Sequence, residues 1–98
     1  MKAPLIDKIG ELASMVKQLA SQAVQQYSPE VDFIIASECR DDKQIEHLLD
    51  GMLEFCFDEK MLLLYKKLCR YYFTFNPEIT AYHINAYRER WDDDNNKV

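Results

Sequence analysis

The sequence predicts an all-α fold: a compact bundle of four to five helices in a single domain. Three observations carry this. Apolar residues recur at three and four positions along almost the whole chain, which is the helical period. Two Gly and three Pro among 98 residues leave too little turn chemistry for a small all-β domain. The pattern is interrupted at Ser28-Pro29, Asp41-Asp42, Asp58 and Asn76-Pro77, residue types that begin helices.

Each element follows from its own residues. Pro4 suits a first turn. Leu5, Ile6, Ile9, Leu12, Ala13, Val16, Leu19, Ala20, Ala23, Val24 and Tyr27 then form one stripe, about 140° wide at 100° per residue. Ser14, Gln18, Ser21, Gln22 and Gln25 lie opposite. Ser28-Pro29-Glu30 reads as a restart, giving a short second helix with Val31, Ile34 and Ile35 on one side. Val-Asp-Phe-Ile-Ile has strand propensity, but a lone strand has no partner here. Asp41-Asp42 caps the next helix, whose apolar stripe is Ile45, Leu48, Leu49, Met52, Leu53 and Cys56. Lys43, His47, Asp50 and Glu54 face the other way.

A break near Phe57 and a cap at Asp58 start the fourth helix. Met61, Leu62, Leu64, Tyr65, Leu68, Cys69, Tyr72, Phe73 and Phe75 fill half its circumference. Lys60, Lys66, Lys67 and Arg70 share the rest with Leu63, Tyr71 and Thr74. Asn76-Pro77-Glu78 opens the fifth helix, with Ile79, His83, Ala86, Tyr87 and Trp91 on one side. The bundle domain thus spans residues 1–91, and residues 92–98 form an acidic polar tail that frays.

A chain of 98 residues and 11.6 kDa holds one core, burying roughly two-thirds of the surface of the unfolded chain. Its 48% hydrophobic and 30% charged residues place it with globular rather than disordered chains. No apolar run approaches the roughly 18 residues a bilayer span requires. The opening residues lack the continuous apolar run of a secretory signal. Cys39, Cys56 and Cys69 are odd in number and form no CxxC pair. They read as reduced thiols of a cytoplasmic protein. No nucleotide-binding, metalloprotease, nucleophile-elbow or EF-hand pattern occurs, and Gly10 and Gly51 are too far apart to cradle a phosphate. Neither a cofactor nor a small-molecule substrate is expected.

The formal charge of −5 is unevenly spread. Residues 28–59 hold ten acids against two bases, whereas residues 60–91 hold six bases against two acids. Lys66 and Arg70 are four apart and Lys67 and Arg70 three apart, spacings at which like charges repel. Helix stability therefore does not explain this face. Lys66, Lys67, Arg70 and Tyr71, with Leu63 beside them, are the candidate partner-binding residues. A plain solvated face is the commonest origin of such a pattern. Nucleic acid is a second class of partner, disfavoured by a pI near 4.9 and by the lack of a recognisable helix-turn-helix. Ten of the twelve aromatics lie between Phe55 and Trp91. They are core residues first, and Tyr71, Tyr72, Tyr82, Tyr87 and Trp91 exceed what so small a centre accommodates. The surplus suits an interface, in a homodimer or with another protein.

Three further groupings remain. His83 and Arg90 project from the apolar side of the last helix and need polar partners. Asp50, Glu54 or Asp58 can pair with Arg90, and that structural ion pair is favoured over a catalytic role. His47, Asp50 and Glu54 share one helix face at a spacing that can hold a divalent ion at an exposed site, but it lacks the Glu-x-x-His pairs of di-iron bundles, and a solvated face is the favoured reading. Finally, Arg40-Asp41 followed by His47 resembles the Arg, polar residue, spacer, His motif of HEPN-type helical ribonucleases. That resemblance covers eight residues and implies Arg40 and His47 converging at a dimer cleft to cleave RNA. Together these readings rank a small non-catalytic interaction protein first. A nucleic-acid-associated accessory protein comes second, and a HEPN-like ribonuclease third.

Overall fold

The computed structural model describes residues 4–92, with side chains from Lys8 onward. The described residues form four helices: α1 (Pro4–Ala36), α2 (Asp42–Leu53), α3 (Glu59–Phe73) and α4 (Pro77–Trp91). Helix α3 occupies the middle and packs against each of the others. The expected tail lies outside the described residues beyond Asp92.

Three helix starts fall where the sequence places them. The Asp41 carboxylate accepts from the amides of Lys43 and Gln44, Asp58 from Met61, and Asn76 from Ile79. These side chains satisfy first-turn amides that have no partner within the helix. Residues 54–57 form the turn expected near Phe57.

The break at Ser28-Pro29 does not occur. Helix α1 runs for 33 residues with Pro29 inside it. Proline removes one helical hydrogen bond and crowds the preceding turn, at about 3 kcal/mol. The offset is packing. Ala20, Ala23, Val31 and Ile34 are all buried, and one unbroken helix keeps them in phase on the same side. Burying Val31 and Ile34 alone contributes about 1.5–3 kcal/mol each.

Helix α1 ends instead at Ala36, and the turn that closes it passes through Glu38, whose φ of 54° is left-handed. The Glu38 amide donates to the Ile35 carbonyl and the Cys39 amide to the Ile34 carbonyl. That is the double bond pattern glycine usually closes. With glutamate in the place of glycine, the sequence carries no sign of it.

A second departure concerns the first half of α1. Its apolar stripe reads as core, yet residues 8–19 are all exposed. Length explains this. A 33-residue helix is about 50 Å long, whereas partners of 12 to 15 residues span about 18–23 Å. They cover only the C-terminal part of α1.

The core comprises Ala23, Val31 and Ile34 of α1, Ile45, Leu48, Leu49 and Met52 of α2, Cys56 of the turn, and Met61, Leu64, Tyr65, Leu68, Cys69 and Tyr72 of α3. Four aromatics act as hydrogen-bonded struts: Tyr65 from the core stripe, and Tyr71, Tyr72 and Trp91, which were expected at a rim. The Tyr65 hydroxyl donates to the His83 carbonyl (2.7 Å) and Tyr71 to the Cys39 carbonyl (2.7 Å). Tyr72 donates to Asp42 (2.8 Å), and the Trp91 indole to the Leu53 carbonyl (2.7 Å). Each bond ties α3 or α4 to another element, and the ring of each tyrosine adds apolar burial.

A candidate docking groove between helices α3 and α4

Helices α3 and α4 flank an open groove of about 320 Å³. From α3 it is lined by Leu62, Tyr65, Lys66, Cys69, Arg70 and Phe73, and from α4 by Thr80, Ile84 and Tyr87. The spacing on α3 explains the lining. Residues 62, 66, 69 and 73 share one side of a helix, at intervals of four, three and four.

The floor has no polar group in need of a partner. The Thr80 hydroxyl donates to the Asn76 carbonyl (2.8 Å), and the Tyr65 hydroxyl is bonded to the His83 carbonyl. Burial pushes the Cys69 thiol up to about 12, so it stays a neutral apolar contact and not a thiolate nucleophile. Burial also raises the Tyr65 and Tyr87 phenols. Phe73 and Ile84 remain 58% and 42% exposed. Lys66 and Arg70, both exposed, complete the rim.

The four candidate residues on this helix therefore separate. Lys66 and Arg70 sit beside the apolar groove and form no ion pair among the described residues. Lys67 turns towards α1 and pairs with Asp32 at 2.8 Å. Tyr71 packs edge-on against Phe75 and donates to the Cys39 carbonyl. Leu63 is exposed as expected. Phe73 belongs by spacing to the apolar stripe of α3, and Ile84 lies off the Ile79-His83-Tyr87 stripe. An apolar residue at the margin of a stripe was the only available signal for either.

The remaining groupings resolve as follows. Arg90 makes a two-pronged pair with Glu54 (2.8 and 3.2 Å), one of the three acids named for it. That carboxyl is held below its usual range by the hydrogen bond and charge of Arg90. His83 is buried between two acids of α2, with Nε2 3.6 Å from Glu46 and Nδ1 3.8 Å from Asp50. Its Nε2 has no hydrogen-bond partner. His47 is exposed, and among the described residues no three His, Cys, Asp or Glu side chains are grouped to hold a metal ion. Arg40 lies over the Phe75 ring, 5.2 Å from its centre, whereas His47 lines a shallow depression with Pro29 and Phe33 of α1. Within one chain the two contact different elements.

Cys39, Cys56 and Cys69 are all free of disulfides. Among the described residues, no helix is long and apolar enough to cross a membrane. No protein-family model matches the chain, nor does any curated protein or solved structure.

Proposed function

We propose that this chain is a small non-catalytic interaction protein whose α3–α4 groove receives an amphipathic, acidic segment of a protein partner. The observation that carries the reading is the pairing of an apolar floor with two cations that form no ion pair among the described residues. Lys66 and Arg70 line the groove, while Lys67 and Arg90 are neutralised within the fold. Apolar anchors of the partner would fill the space between Leu62, Phe73 and Ile84, giving most of the affinity. Carboxylates beside those anchors would meet Lys66 and Arg70, which steer the encounter and fix its direction. The same apolar floor argues against nucleic acid, whose recognition calls for a wider basic surface. Three unpaired cysteines fit a reducing compartment such as the cytoplasm.

The test is capture from the native host, followed by charge reversal. The partner retained by the wild-type chain should be lost by the Lys66→Glu, Arg70→Glu double variant and kept by Lys67→Glu. Nuclease treatment should leave it in place, and the melting temperature of the double variant should stay near the wild-type value. Equal capture by the double variant would overturn the reading. Recovery that depends on nucleic acid would replace it with the accessory-protein class.

A further inference from the structure

We infer that the projecting half of α1 pairs with the same segment of a second copy of the chain, the two helices running antiparallel. This surface is separate from the α3–α4 groove and does not depend on what that groove binds. Ile9, Leu12, Val16 and Leu19 are 56%, 58%, 46% and 55% exposed, with Met15 beside them at 55%. Contiguous apolar surface of this kind marks an association site on a folded chain. The helix also gains nothing from it in isolation, because a helix without tertiary packing is marginal at this length.

The spacing says what covers it. Intervals of three, four and three are those of the two apolar positions of a heptad, whose partner is another helix. In the sequence the same register reaches back to Leu5. The opposite face carries Ser14, Gln18, Ser21, Gln22 and Gln25. A helix lying on a membrane surface has instead a polar face rich in lysine and arginine.

A second copy is the occupant because the stripe is complementary to itself when reversed. With the two-fold axis at Ser14, Ile9 meets Leu19 of the other copy and Leu12 meets Val16, so every layer joins one heptad position to the other. The stripe carries no charge, and its neighbours Lys8, Glu11 and Lys17 are of both signs. Direction follows from charge. Residues 28–59 hold ten acids and two bases. A parallel pair would bring two such bundles side by side, whereas the antiparallel pair sets them at opposite ends. A two-fold interface of this kind closes on itself and stops at a dimer.

Sedimentation equilibrium of the full chain tests this. The wild type should associate reversibly to twice its mass of 11.6 kDa, while Leu12→Glu with Val16→Glu should remain monomeric with the helical signal of the bundle retained. The Lys66→Glu, Arg70→Glu variant should still dimerise, which separates this surface from the groove. In a Cys39→Ser background, a mixture of Leu12→Cys and Val16→Cys chains should oxidise mainly to the mixed disulfide. A wild type that stays monomeric at high concentration would overturn the inference, as would a dimer that survives the double glutamate change. Self-disulfides of Leu12→Cys exceeding the mixed product would overturn the antiparallel geometry. Binding of the monomer to anionic phosphatidylserine vesicles in place of dimerisation would reassign the stripe to a membrane.

Discussion

Arg90 joins the end of α4 to the end of α2 through Glu54 and also lies over the ring of Trp91, 5.0 Å from its centre. Its two roles separate by pH. Because Arg90 holds the folded Glu54 below the ordinary value of 4.5, the pair stabilises the fold fully above that value. The contribution is lost as pH falls through the lowered, folded value. Arg90→Gln should return the Glu54 carboxyl to the ordinary range in an NMR titration. The melting-temperature gap between wild type and variant should close in acid. A gap that persists unchanged in acid would assign the role of Arg90 to its stacking on Trp91. The sequence had narrowed the partner of Arg90 to three acids, because the helical period fixes which side a residue faces. It left Lys67 on the candidate surface, because periodicity does not say which neighbour holds an acid at the right height. That information resides in Asp32, on a helix whose continuation past Pro29 the sequence did not reveal.

Between elements, α1 and α2 meet where Gly51 faces Tyr27. A methyl group at Gly51 would run into the Tyr27 hydroxyl and lie 3.1 Å from the ring carbon that bears it. In an ordinary helix interior, replacing glycine by alanine gains about 1 kcal/mol. Here the overlap forces Tyr27 or the helices to move, so Gly51→Ala should destabilise by about 1–3 kcal/mol in urea unfolding. Adding Tyr27→Phe removes the clashing oxygen and should recover most of that loss. No recovery would mean that Gly51 is required for backbone reasons instead. The same pair illustrates what was legible. Three helix starts were readable because capping is local chemistry, confined to a few consecutive residues at Asp41, Asp58 and Asn76. The α1–α2 junction was not, since Pro29 signals a break that core packing overrides and Glu38 ends the helix without the usual glycine.

At the scale of the molecule, 59 × 36 × 18 Å, the bundle and the projecting half of α1 are mechanically distinct. The core residues run from Ala23 to Tyr72, whereas residues 8–19 are exposed throughout. Heptad spacing was visible in the sequence as an apolar stripe. Its lack of cover was not, because cover depends on how far the other three helices reach. Removing residues 1–18 should therefore leave the core intact. In dilute solution the truncated chain should unfold cooperatively with nearly the wild-type midpoint and urea dependence, because the slope follows the surface that unfolding exposes. As concentration rises the two should part. The melting temperature of the full chain should increase, since association stabilises the folded state by mass action. That of the truncated chain should stay constant. A truncated chain that is already unfolded in dilute solution without urea would show that the first half of α1 supports the bundle directly. A full chain with a constant melting temperature would remove the second copy from the projecting stripe while leaving the α3–α4 groove as it stands.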